Sequence, residues 1–229
     1  MHQGNVAEAE VCFTQALAMR EELADDKLAL SLNNLATLYQ MQEKYAEAER
    51  LYQQAIEIQE QFLGPRKLDL ARTLSNLGEL YRLEKKYKKA EQTFIRAVNI
   101  YKEPEQTMHR DMANVLNNLG LIADERKIYD VAEQFYQYSI AVTEHLLGAN
   151  YPDLVFPLYN LAYLYQRLGK RAQAEPFYQR ALEIGEEHLG TEHSLILKVR
   201  DSYASFLTQK PLESRKPGIW PRFFRRNSS

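Results

Sequence analysis

Apolar positions along the chain fall into two alternating helical patterns. Leu32, Leu35, Ala36 and Tyr39 sit at i, i+3, i+4 and i+7, one stripe of a 3.6-residue helix. A second segment, Tyr45 to Ala55, spaces Ala48, Tyr52 and Ala55 as small, large, small, so a neighbouring helix can approach at the alanines and interlock with the ring. Both patterns return. The first recurs from Leu74 to Tyr81, Leu116 to Ala123 and Leu158 to Tyr165; the second recurs from Tyr87 to Ala97, Tyr129 to Ser139 and Arg171 to Ala181. Each copy follows the last by 42 residues, and self-similarity at such a period marks a repeat architecture. The unit is a pair of helices, and the expected fold is an all-α solenoid of stacked antiparallel pairs.

Turn chemistry sets the boundaries. Gly64, Gly148 and Gly190 stand where second helices close, a place for a left-handed residue without Cβ, and Pro104 ends the remaining one earlier. Asp111 and Pro152-Asp153 mark helix starts. Four full repeats are expected over about 27–64, 69–104, 111–148 and 153–190. A lone second helix over 4–23 precedes them and a final helix over 194–209 follows, so the array fills 1–209. The segment His2 to Val6 aligns with the end of a first helix, so either Val6 to Leu23 is a lone N-terminal cap or, the favoured reading, the chain is a piece of a longer protein. Cys12 falls at a core-like position of the lone helix and reads as an inert buried thiol.

The small and large residues at Leu35, Ala36, Tyr39, Ala48, Tyr52 and Ala55 resemble the tetratricopeptide signature. The 42-residue period and the phrases Leu-Asn-Asn-Leu-Ala and Leu-Gly-x-x-x-Pro resemble the long-helix variety found in kinesin light chains and many bacterial repeat proteins. The likeness covers about residues 4–209; a HEAT array has a similar period but lacks the alanine-aromatic-alanine spacing. The resemblance implies a right-handed superhelix, with first helices lining a concave face that binds proteins.

Composition agrees with a folded scaffold. The chain is 45% hydrophobic and 26% charged with a net charge of -2, so no strong field points to nucleic acid. One cysteine excludes an intrachain disulfide and suits the reducing cytoplasm. No apolar run is long enough to span a membrane. Neither a phosphate-cradling glycine loop nor metal-spaced histidines occur, so neither a cofactor nor an enzymatic activity is expected. The run Arg82, Lys85, Lys86, Lys88 and Lys89 reads as a solvated turn surface. The tail 210–229 carries a net +5 by count with Trp220, Phe223 and Phe224, while Pro211, Pro217 and Pro221 deny it a continuous helix. It is expected to be flexible, or to dock its aromatics on the array, a partner or, with weaker support, a membrane surface.

The candidate site lies on a second stripe of the first helices. One position is asparagine in all four complete repeats: Asn34, Asn76, Asn118 and Asn160. Asparagine is a mediocre helix former, so propensity does not explain the row. Its amide offers both a donor and an acceptor, suited to gripping the backbone of an extended peptide; an inter-helix ladder that orients neighbouring repeats is the competing account. In the resembled family, asparagines at this point contact bound peptides. Specificity is expected from neighbouring rows: Arg72, Asn114, Phe156 and Lys198; Asn33, Ser75, Asn117 and Tyr159; Thr37, Glu79, Leu121 and Tyr163. The rows run from polar to aromatic, so a bulky apolar or aromatic peptide residue is expected near Phe156, Tyr159 and Tyr163. The chain is read as a peptide-binding adaptor of unidentified partner. A regulatory segment of a larger signalling protein and an assembly factor touching membranes through its tail remain as alternatives.

Overall fold

A computed structural model of the chain describes residues 26–61, 67–102 and 110–208. The helix expected over 4–23 with Cys12, the expected helix ends at Gly64 and Pro104, and the tail 210–229 lie outside these residues.

The described residues form nine α-helices and no strand. First and second helices alternate as α1 (Asp26–Met41) and α2 (Tyr45–Gln61), α3 (Lys67–Leu83) and α4 (Tyr87–Tyr101), α5 (Arg110–Glu125) and α6 (Tyr129–Leu147), then α7 (Val155–Arg167) and α8 (Arg171–Leu189). A 3-10 turn, Pro152–Leu154, leads into α7, and α9 (Ser194–Thr208) closes the described array. The helices pack in consecutive pairs, the right-handed α-solenoid expected of the pattern.

Each pair is joined by one repeated turn. Glu43, Lys85, Lys127 and Gly169 adopt positive φ of 61°, 58°, 62° and 72°. The amide of the following residue reaches back to the last turn of the first helix, as Lys86 does to the Tyr81 carbonyl at 2.8 Å and Lys170 to the Tyr165 carbonyl at 2.9 Å. This is the Schellman closure, which satisfies helix-end carbonyls. Three of the four left-handed residues are not glycine, which the sequence pattern did not suggest. Gly148 and Gly190, at φ of 97° and 85°, end α6 and α8 as their glycine character suggested.

The core is built from the small-aromatic pairs. Tyr52, Phe94, Tyr136 and Tyr178 are fully buried; the Phe94 and Tyr136 rings lie against Gly78 and Gly120 of their own first helices, and the equivalent Ala36 and Ala162 are fully buried as well. Each large apolar side chain buried in this way contributes about 1.5–3 kcal/mol relative to exposure. First helices of successive pairs touch one another, α1 with α3 through to α7 with α9, whereas successive second helices, among the described residues, do not. The first helices therefore line the tighter, concave side.

Candidate interaction groove

On the concave side α3, α5, α7 and α9 enclose an open groove of about 500 Å³. Leu121, Pro157, Tyr159 and Leu195 supply its apolar surface, and Phe156 stands in it with 55% of its area exposed. Asn114, Asn117, Asn118 and Asn160 supply the amides; Glu79 and Arg82 of α3 lie at one end and Lys198 of α9 at the other. The row shared by Leu30, Arg72, Asn114, Phe156 and Lys198 is exposed in all five first helices, so this register always faces the concavity.

The asparagine row divides into two kinds of residue. Asn76 Nδ2 donates to Asn33 Oδ1 at 3.0 Å, and Asn160 Nδ2 donates to Asn117 Oδ1 at 2.9 Å. Both bonds cross the junction between successive helix pairs, and Asn33 and Asn117 are buried. Tyr159 and Ser202 join their hydroxyls at 3.1 Å across the next junction. At the middle junction the acceptor position is Ser75, whose short side chain donates to its own helix at the Ala71 carbonyl, 2.7 Å away. Asn118 is left with no side-chain hydrogen bond among the described residues. Asn114, one turn earlier on α5, is equally unpaired there and exposed. Asn34 is exposed and accepts a long contact from Asn33 Nδ2 at 3.5 Å.

Of the residues singled out in the sequence, the groove brings together Asn114, Asn117, Asn118, Phe156, Tyr159 and Asn160, with Glu79, Leu121 and Lys198 of the neighbouring rows. Asn33, Asn34 and Asn76 belong to the preceding junction. Arg72 lies outside the groove, paired with Asp69 at 3.3 Å and Asp111 at 3.6 Å. Tyr163 is also outside; its ring stacks on Tyr159 with centroids 6.1 Å apart, and the Arg167 guanidinium lies 5.9 Å from its centroid. Pro157, Leu195 and Arg82 line the groove without having been singled out for it. For Arg82 the signal was its column, in which Gln40, Asp124 and Gln166 are the counterparts.

Charge in the groove is unevenly balanced. Arg82 donates to both carboxylate oxygens of Glu79, at 2.9 and 2.7 Å, and to Glu125 at 2.7 Å. The hydrogen bond with Glu79 raises its already high pKa, so its charge is held and neutralised in place. Lys198 has no carboxylate at ion-pair distance among the described residues, and its Nζ lies 5.5 Å from the Tyr159 ring centroid. In the lysine run at the α3-α4 turn, Lys86 and Lys89 are paired with Glu49 at 3.2 and 3.4 Å. Among the described residues no group of acidic, histidine or cysteine side chains is arranged to hold a metal ion, and no helix is long and apolar enough to cross a membrane.

A solenoid of helix pairs with a groove on its inner face is the architecture of a protein-interaction scaffold. The tetratricopeptide-repeat family profile matches residues 1–61, 27–103 and 111–187, and the chain belongs to that family. Among curated protein sequences none matches significantly. Solved structures share the fold at low identity. BtubC (BKLC) from P. vanneervenii superposes with a TM-score of 0.68 at 19% identity, covering 99% of this chain and 96% of that one. A putative kinesin light chain of nearly identical TPR-like repeats from Podosopora anserina gives 0.62 at 20%, covering 84% and 91%. Aspartyl phosphate phosphatase F from Bacillus subtilis gives 0.75 at 18%, covering 85% of this chain and 49% of that one. The tetratricopeptide fold is typically a non-enzymatic scaffold.

Proposed function

We propose that this protein is a cytoplasmic, non-enzymatic adaptor that holds an extended peptide segment of a partner protein in the groove between α3, α5, α7 and α9. The observation that carries this reading is that Asn114 and Asn118, whose amides have no side-chain hydrogen bond among the described residues, share one cavity with the exposed Phe156 ring. Asparagine amides one turn apart can donate to and accept from successive peptide groups whatever the side chains, which supplies register without sequence preference. Phe156, Leu121 and Pro157 offer an apolar site for one bulky peptide side chain, and aromatic anchors of this kind dominate interface energetics. Asn117 and Asn160 support the groove by holding α5 against α7.

A peptide-display selection on the purified chain tests the reading. A shared motif should emerge with a bulky apolar residue, and Phe156→Ala and Asn118→Ala should each weaken the selected peptide. Loss of an anchor such as Phe156 should cost about 2 kcal/mol or more, some thirtyfold in Kd. Selection of no linear peptide, or a motif indifferent to both substitutions, removes the groove as the binding site.

A further inference from the structure

At the first and third junctions between successive pairs, the same polar residues close over one glutamate of a second helix. Glu49 of α2 accepts from the Tyr81 hydroxyl at 2.8 Å, from Lys86 at 3.2 Å, from Lys89 at 3.4 Å and from Gln53 at 3.3 Å. Glu133 of α6 accepts from Tyr165 at 2.8 Å, from Lys170 at 3.2 Å and from Gln137 at 3.4 Å. Positions that recur every 42 residues therefore meet at one point of each junction. At the second junction the glutamate is kept as Glu91, but the tyrosine, glutamine and lysine become Ala123, Ile95 and Ile128, and Val131 takes the place of Lys89. Ile95, Ile128 and Val131 are 47%, 41% and 37% exposed. Single apolar side chains are ordinary on a surface, whereas three gathered around one glutamate form a patch.

Cations border this patch. Lys88, Glu91 and Ile95 share one stripe of α4 at i, i+3 and i+7, and Arg126 reaches Glu91 from the following turn at 3.1 Å. Lys85 to Lys89, with Glu91 and Arg126, line an open cavity of about 770 Å³. Around the α3-α4 and α5-α6 turns, Glu84 is paired with Lys86 at 2.9 Å, Glu91 with Arg126, and Glu125 with Arg82 at 2.7 Å. Lys85, Lys88 and Lys127 are exposed and have no carboxylate at ion-pair distance among the described residues; Asp130, in the first turn of α6, is the acidic side chain left over. Local stability gives no reason for this charge. Lys88 and Lys89 fall in the first turn of α4, which holds no acidic residue although a helix start favours anions.

We propose that this face docks a short acidic segment of a partner protein, which seats an aliphatic or aromatic side chain on Ile95, Ile128 and Val131 and sets its carboxylates against Lys85 and Lys88. The face is built from second helices and turns, so it gives the scaffold a contact independent of the groove between first helices. Charge selects the occupant. The whole chain carries a net charge of -2, so a nucleic acid or an anionic membrane meets repulsion beyond the patch, whereas a short segment covers the patch alone. The aliphatic stems of the lysines extend the apolar floor while their ammonium groups stay in water to meet the carboxylates.

The probes are a library of fluorescein-labelled octapeptides that set one Leu, Ile or Phe among Asp and Glu, read by fluorescence polarisation with the intact chain. The best of them should bind saturably, more weakly as salt is raised, and more weakly still when Ser replaces its apolar residue. Ile95→Gln together with Val131→Gln should lower affinity about tenfold, and so should Lys85→Glu together with Lys88→Asp. Helical circular dichroism should be kept in both, because Gln179 and Gln173, and Glu43 and Asp130, already stand at these places in other repeats. Phe156→Ala should leave this binding unchanged. Absence of saturable binding, loss with Phe156→Ala, or indifference to either pair of substitutions overturns the proposal. Binding of phosphatidylserine-phosphatidylcholine vesicles that is lost with Lys85→Glu and Lys88→Asp assigns the patch to a membrane and overturns it too.

Discussion

Asn160 donates its side-chain amide to Asn117 across 2.9 Å, joining α7 to α5 through two residues 43 apart in the chain. Removing the donor with Asn160→Ala strands the side-chain oxygen of Asn117, a buried residue, and should cost about 1–3 kcal/mol. Asn118, which has no such bond, should tolerate Ala within about 0.5 kcal/mol. Urea unfolding of the two variants checks the difference; equal losses would mean that the bridge contributes nothing.

Gly120 and Tyr136 make the tightest of the small-aromatic contacts. Gly120→Ala gains about 1 kcal/mol of helix propensity. It also drives a Cβ to 2.5 Å from a buried ring, an overpacking that costs about 1–3 kcal/mol, so net destabilisation is expected. At Ala162, the equivalent position of the fourth repeat, Ala→Gly should cost about 1 kcal/mol through propensity. A Gly120→Ala protein as stable as the parent would show that the ring yields.

The hydroxyls of two matched tyrosines differ. Tyr178 donates to Gln166 at 2.5 Å, whereas the buried Tyr136 hydroxyl has no hydrogen-bond partner among the described residues. Tyr136→Phe should therefore be neutral or stabilising by about 1 kcal/mol, and Tyr178→Phe destabilising by about as much. The second repeat already carries Phe94 in this slot. Thermal unfolding of both variants tests the sign, and a Tyr136→Phe protein that melts well below the parent would contradict it.

Burial pushes Tyr52, Tyr81, Tyr101 and Tyr165 up to about 12 from an ordinary value of 10.0, and raises Tyr136 and Tyr178 further. A raised folded-state pKa stabilises the protonated form, so this contribution is complete below pH 10 and is lost as pH rises through about 12. Stability should fall steeply across that window, with tyrosinate absorbance appearing together with unfolding. Tyrosinate forming near pH 10 in a chain that stays folded would contradict the burial argument.

Much of this protein was readable from periodicity. The helix pairs and the shared register of Asn114 and Phe156 follow from spacing along single helices, whereas the close approach of Gly78 to the Phe94 ring of the next helix emerges from packing. The left-handed turns were half legible. Gly148 and Gly190 marked theirs, but the column Glu43, Lys85, Lys127 and Gly169 contains one glycine, too little to suggest positive φ at the other three. The unequal asparagines were not legible, because Asn76, Asn118 and Asn160 look identical in a row.

Which faces of which helices are apolar, and hence the solenoid and its inner face, follows from local periodicity, because a 3.6-residue period is a property of neighbouring residues. Which amides bridge successive helices, and which have no side-chain partner among the described residues, emerges only when the helices pack. That outcome depends on the residue facing each asparagine across a helix junction: Asn33 and Asn117 can reach to accept a bond, and Ser75, turned back onto its own helix, cannot.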